Sequence, residues 1–125
     1  MKSEQLAWLI RRHGIEMTHI SHGSHIGSIL SVADVVSVLY NDVANITPEN
    51  LKDDNRDRIV LSKGHAGAAI YAALAEKGFF PVEELKTHYA DGSRLSGHVS
   101  HKGIPGVEIS TGSLGHGACM ACGIA

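Results

Sequence analysis

Aromatic side chains, cysteines and prolines are all scarce in this sequence. Phe, Trp and Tyr together make up 5% of 125 residues, with two Cys and three Pro. Two cysteines are too few for a disulfide framework, so the expected setting is reducing and cytoplasmic. No apolar run approaches the roughly 18 residues of a membrane span. Ser3, Glu4 and Gln5 follow Met1-Lys2 where a signal peptide would carry its apolar core. A dominant charge is missing too. The net charge is -2 and the pI is near 6.5, which argues against the basic face of a general nucleic-acid binder. Neither a membrane nor a nucleic acid is therefore an expected partner. The abundant residues are glycine, with 14, and histidine, with nine. Histidine titrates near neutrality, hydrogen-bonds at both ring nitrogens and ligates metals, so function is expected to run through it.

At 43% hydrophobic and 19% charged, the chain can build a core. Leu6, Leu9, Ile10, His13, Met17 and Ile20 recur at helical spacing, which predicts an amphipathic helix over 3–20 with Ser3 as N-cap. A second helix is expected from Ser31, where Ser31-Val-Ala-Asp34 reads as a capping box. Val32, Val35, Val36, Leu39 and Val43 form its apolar stripe. Residues 41–57 read as a loop, and the mixed charges from Lys52 to Arg58 as a solvated surface. Arg58-Ile-Val-Leu-Ser62 is the one strand expected, centred on 59–61. A third helix is expected from His65 to Lys77, ending at Gly78. A short fourth follows Pro81 over Val82–His88, and a fifth of small residues follows Gly117. The expected class is α/β, mostly helical with one main strand. Residues 1–125 read as a portion of a single domain. One strand cannot make a sheet, and Ala118–Ala125 has no helix-stop signal, so the folding unit is expected to continue past Ala125.

His19, His22 and His25 recur every third residue. They could gather around a metal ion. The favoured alternative is one or two surface histidines plus one that points into a pocket, because serine and glycine interrupt the helix and no carboxylate is near. His116, Cys119 and Cys122 pose the same choice. The favoured reading is two small buried cysteines in helix packing beside Gly117, Ala118, Ala121 and Gly123. Lys63-Gly64-His65 follows the expected strand, where α/β proteins bind ligands, and precedes a helix, where amide donors suit phosphate. Gly112-Ser-Leu-Gly-His-Gly117 also precedes a helix and could cradle a phosphate or a heteroaromatic ring. Arg94 and His98 add polar groups suited to a phosphorylated or hydroxylated ligand, although Arg94 reads equally well as a surface charge.

Taken in order, these motifs resemble the N-terminal part of transketolase. Gly23-Ser-His-Ile-Gly27, Asp57-Arg-Ile-Val-Leu-Ser-Lys-Gly-His65 and Gly92-Ser-Arg-Leu-Ser-Gly-His98 look like that family's three histidine segments. Gly106-Val-Glu-Ile-Ser-Thr-Gly-Ser-Leu-Gly-His-Gly117 resembles its thiamine diphosphate loop. Glu83-Glu-Leu-Lys86 and the Ser-Arg-Leu segment look most like the split form, whose two halves are separate polypeptides. The resemblance implies thiamine diphosphate and transfer of a two-carbon ketol unit from a ketose phosphate to an aldose phosphate, as in the pentose phosphate pathway. It implies His25, His65 and His98 as catalytic residues. His65, Gly112, Ser113 and Leu114 would contact the cofactor, and His25, His98 and Arg94 the substrate. The implied partners are sugar phosphates, a C-terminal transketolase half and a dimer mate. Magnesium is implied as well, with ligands expected beyond residue 125 and none within it. The loop reads Gly-Ser-His where the family has Ser-Gly-His, and His116 stands where it has glutamine. Two alternatives accompany this reading: an inactive binding or regulatory module, and a related enzyme such as deoxyxylulose-phosphate synthase.

Overall fold

Helix α1 spans Ser3–Ser21, as the apolar spacing predicts. Leu6, Ala7, Ile10, His13, Gly14 and Met17 are its buried residues, whereas Ile20 is half exposed. The N-cap is Lys2, not Ser3. The Lys2 amide donates to the Gln5 side chain at 2.9 Å, and the Ser3 hydroxyl is taken by Asp42. The computed structural model describes all residues from Met1 to Ala125 and exposes 6701 Å², close to the roughly 6,400 Å² of a folded monomer of this mass.

Helix α2 spans Ile26–Val38 and continues as one wider turn over Leu39–Val43. It starts five residues earlier than the capping-box reading predicts. His25 sits at its N-cap in the left-handed conformation, and its carbonyl accepts the Ser28 and Ile29 amides. Ser31 lies within the helix and donates back to the Ser28 carbonyl at 3.0 Å. The misleading signal is Gly27-Ser28, which weakens a helix interior but is tolerated in a first turn. Gly14 brings α2 close to α1: a Cβ there would stand 2.6 Å from Ile29 Cγ2. The stretch Ile26–Val43 has mean hydropathy 1.4 and is long enough to cross a bilayer by length and composition, contrary to the expectation that no run approaches a span. Ile29, Ala33, Val36, Ser37 and Tyr40 are buried along it, as in the core helix of a globular domain.

Helix α3 (Gly67–Glu76) follows a 3₁₀ turn at Gly64–Ala66. Nine of its ten residues are buried, because alanines let α1 and α2 pack against it on several sides. His13 Nε2 meets Glu76 Oε1 at 2.6 Å and ties α1 to α3. The fourth helix is a 3₁₀ segment, Val82–Thr87. Helix α4 spans His116–Ile124.

Three expectations are corrected. No strand forms: the elements are all helical. Ile59, Val60 and Leu61 are half-buried, but a strand needs a partner ladder, and Leu61 offers its carbonyl to the Thr111 hydroxyl instead. The α/β class is thus not drawn by these residues alone. The charge run is not wholly solvated either. The Arg56 guanidinium forks onto Glu108, with both side chains almost buried at 11% and 13% exposure. Finally, Cys119 and Cys122 are exposed, not packed. Only Gly117 of α4 is buried, lodged where a Cβ would meet Ser62 Cα at 2.7 Å. Trp8, Ile15, Val35, Val38, Val43 and Met120 are also exposed. Arg12 lies over the Trp8 ring, 5.8 Å from its centroid.

Candidate active site

Three irregular segments converge at the start of α2. His25 projects from that helix's N-cap, His65 from the 3₁₀ turn before α3, and His98 from the helix-free segment 90–112. Their ring centroids lie 5.1 Å (His25–His65), 5.7 Å (His25–His98) and 6.4 Å (His65–His98) apart. The three histidines named from sequence, 73 positions apart at the extremes, thus form one cluster.

Backbone bonds fix this cluster. The Val99 amide donates to the Gly64 carbonyl at 2.8 Å, and the Thr111 amide to the Val99 carbonyl at 3.3 Å. The Thr111 hydroxyl donates to the Leu61 carbonyl at 2.5 Å. From α3, the Tyr71 hydroxyl donates to the His98 carbonyl and accepts the Ser100 amide, at 3.1 and 2.9 Å. Glycine is required at the crossing points. A Cβ on Gly64 would stand 2.0 Å from the Thr111 carbonyl oxygen, and one on Gly67 2.7 Å from the Val99 nitrogen.

His65 Nε2 lies 2.9 Å from the Ser28 hydroxyl. Burial, and then the neighbouring His25, Lys63 and His98 charges, push the His65 pKa below the usual histidine value. That shift favours the neutral ring, which has one nitrogen to donate and one to accept. Lys63 Nζ reaches the Ser28 carbonyl at 3.3 Å and the Ser31 hydroxyl at 3.1 Å. Gly112 lies beside His98, whose Cδ2 would be 3.6 Å from a Cβ there. Ser113 and Leu114 are exposed with it. Gly115 then turns at φ 87° into α4, and His116, the residue in place of the family's glutamine, is that helix's exposed first residue. A neutral imidazole, a nearby ammonium and an open glycine loop suit a ligand that carries both an anion and a heteroaromatic ring.

The structure does not bring Arg94 to this cluster. Its guanidinium forks onto Glu84 at 2.5 and 2.8 Å, donates to the Gly103 carbonyl, and lies 5.5 Å from the Phe80 ring centroid. Nor does the triplet His19, His22, His25 gather as a metal site: no group of three His, Cys, Asp or Glu side chains is placed to hold an ion. The residues missed from sequence are Ser28, Tyr71 and His88. The Ser28 role is legible only with the correct start of α2. Tyr71 and His88 carry no local signal. The His88 ring is buried at 6% exposure, has no hydrogen-bond partner on either nitrogen, and has its pKa lowered by that burial.

Comparison with known proteins gives a family match over nearly the whole chain. The family model described as "Transketolase, thiamine diphosphate binding domain" matches residues 2–125. The 6-deoxy-6-sulfo-D-fructose transketolase subunit SqwG of Clostridium sp. (strain MSTE9) is 46% identical over 81% of this chain and 37% of its own length. An apulose-4-phosphate transketolase subunit of Phocaeicola vulgatus is 40% identical over 92% of this chain and 41% of its own. Among solved structures, transketolase from Leishmania mexicana superposes with a TM-score of 0.87 at 33% identity, covering 98% of this chain and 18% of its own. The chain thus spans about two-fifths of the split-subunit relatives it matches.

Proposed function

The chain belongs to the transketolase family through its thiamine diphosphate-binding domain, and from that membership we propose that it is the opening part of a ketol transferase. In this reading the protein moves a two-carbon ketol unit from a ketose phosphate to an aldose phosphate. It works in the split-subunit form, with a separate C-terminal half and a dimer mate, in the cytoplasm. The observation that carries the proposal is the His25–His65–His98 cluster, closed to ring separations of 5.1–6.4 Å.

Thiamine diphosphate, when bound, supplies the electron sink for cleaving and remaking the carbon–carbon bond. A magnesium ion that accompanied it would take its ligands from elsewhere, since no group of three His, Cys, Asp or Glu side chains in this chain is placed to hold one. The residues of this chain bind and orient. His65 stays neutral beside Ser28 and donates to a phosphate oxygen or substrate oxygen. His25 and His98 hydrogen-bond substrate hydroxyls and hold or release a proton as a hydroxyl changes charge. The backbone of Gly112, Ser113 and Leu114 lines the cofactor. Arg94 meets the substrate phosphate only if it leaves Glu84. The two split-subunit relatives are named for unusual ketoses, which makes such a ketose a candidate donor here too.

The test uses the complete gene product with its C-terminal partner, thiamine diphosphate and magnesium, and profiles sugar products across several ketose donors. Transfer by the wild type and a loss of about 10²–10⁴-fold in His65→Ala are expected. Tight cofactor binding by both halves without transfer from any donor would favour a binding or regulatory module instead.

A further inference from the structure

We propose that Ser28 and Lys63 are positioning residues for His65: the Ser28 hydroxyl donates to Nε2, Lys63 fastens the turn that carries Ser28, and the hydrogen of the neutral ring is thereby placed on Nδ1, the nitrogen left to a ligand. The proposal rests on the ketol-transfer reading for the identity of that ligand, though not for the tautomer.

The first observation is the direction of the Ser28 bond. A serine inside a helix can turn its hydroxyl back onto a carbonyl three or four residues earlier. Ser21, Ser31 and Ser37 do so, at 2.7, 3.0 and 2.9 Å. Ser28 does not. The carbonyl three residues back, on His25, already accepts the Ser28 and Ile29 amides. The Ser28 hydroxyl meets His65 Nε2 instead, at 2.9 Å, and that nitrogen is the acceptor the chain offers it. A neutral imidazole that accepts at Nε2 carries its hydrogen on Nδ1.

The second observation is the tether. Lys63 stands two residues before His65, and its ammonium donates to the Ser28 carbonyl at 3.3 Å and to the Ser31 hydroxyl at 3.1 Å. An ammonium has no acceptor, so it grips the turn without competing for the Ser28 hydrogen. Ser31 passes its own hydrogen to the Ser28 carbonyl, which closes a small ring of bonds. From the other side, the Gly64 carbonyl accepts the Val99 amide at 2.8 Å. Residues 63–65 are thus held between α2 and Val99. Burial first, then His25, Lys63 and His98, disfavour the imidazolium, and none of the groups acting on the ring is a carboxylate.

The third observation is access. The enclosed polar atoms without a partner are Ser62 Oγ and the two His88 nitrogens. His65 Nδ1 is not one of them, although it has no partner within the chain, so it keeps open surface on a half-buried ring. That ring stands 5.1 Å from His25 and 6.4 Å from His98 between centroids. A ligand entering the cluster therefore meets an N–H donor on His65, which suits a phosphate or alkoxide oxygen.

Nitrogen NMR of the complete gene product, made with isotope-labelled histidine and free of ligand, reads the tautomer directly. His65→Gln identifies the His65 signals by their loss. At alkaline pH the wild type is expected to show a protonated Nδ1 and a bare Nε2. Ser28→Ala should return the ring to a mixture of both forms, and Ser28→Thr, which keeps the hydroxyl, should restore the wild-type pattern. Lys63→Met should mix the forms in part and raise the His65 pKa, because a neighbouring positive charge is gone. In the complete two-subunit enzyme with thiamine diphosphate, magnesium and D-xylulose 5-phosphate as the probe donor, Ser28→Ala is expected to lower kcat/KM roughly three- to tenfold. Ser28→Thr should recover at least half of that loss. A wild-type ring protonated at Nε2 overturns the proposal. So does a Ser28→Ala ring that stays wholly in the Nδ1–H form. An unchanged tautomer and pKa in Lys63→Met overturns the Lys63 half, and an unchanged kcat/KM in Ser28→Ala overturns the claim that a ligand reads Nδ1. A wild-type enzyme that transfers no ketol unit but shows the Nδ1–H ring overturns the function proposed above, while the positioning of His65 stands.

Discussion

Replacing Gly64 with alanine tests the frame of the site at its tightest point. The added Cβ would stand 2.0 Å from the Thr111 carbonyl oxygen, 2.5 Å from its carbonyl carbon and 2.8 Å from Oγ1. The first distance is 1.0 Å inside the 3.0 Å below which real Cβ contacts essentially do not occur. The obstacle is backbone, so a side-chain rotation cannot relieve it. The segments around Gly64, Val99 and Thr111 must part, which breaks the Val99–Gly64 and Thr111–Val99 bonds of 2.8 and 3.3 Å. Overpacking costs typically 1–3 kcal/mol, and two strained hydrogen bonds place this case at the upper end, near 3 kcal/mol. Because His65 and His98 lie next to those bonds, their rings should separate by about 1 Å, a displacement that can cost about 10²-fold in rate. Urea unfolding followed by circular dichroism measures the first quantity, and turnover by the assembled enzyme the second. Gly27→Ala is the matched control. Gly27 lies in the first turn of α2, has ordinary φ and has nothing within 4 Å of a built Cβ, so alanine there should stabilise by about 0.4–1 kcal/mol. If Gly64→Ala unfolds within 0.5 kcal/mol of wild type, a margin small beside the overpacking range, the argument from steric closure is refuted.

Other expectations follow from the same geometry. Arg56→Ala leaves Glu108 charged and almost buried, and should destabilise by about 3 kcal/mol; a double-mutant cycle with Glu108→Ala should show strong coupling. Tyr71→Phe strands the Ser100 amide and should cost about 1–3 kcal/mol by chemical denaturation. Burial lowers the His88 pKa in the folded chain, so the unfolded chain binds that proton first and stability falls as pH drops below about 6.5. The stability of His88→Phe relative to wild type should therefore rise from pH 7 to pH 5 in parallel unfolding curves.

Much of the site is legible because its chemistry is written in short motifs. The segments Gly23–Gly27, Lys63–His65 and Gly92–His98 each carry one of the three clustered histidines. What sequence reading misses depends on long-range partners. Ile59–Leu61 has the composition of a strand, but strand identity lies in the pairing, and these residues give a carbonyl to Thr111 instead. Arg56 reads as solvated because Glu108 is 52 positions away. The start of α2 is misplaced because local rules penalise Gly27-Ser28, whereas the Gly14–Ile29 packing that holds the turn joins two helices. His88 cannot be singled out, since nothing next to it in sequence shows that its ring would be enclosed.

The position of Trp8 has a spectroscopic consequence. It is the chain's single tryptophan, lies 59% exposed on the outer face of α1 and sits beneath the Arg12 guanidinium. Its emission should be red-shifted and indifferent to ligands at the histidine cluster. Anything that covers α1, whether a partner chain or another part of the protein, should shift it to the blue. The molecule thus carries a built-in optical probe of assembly that is silent to catalysis.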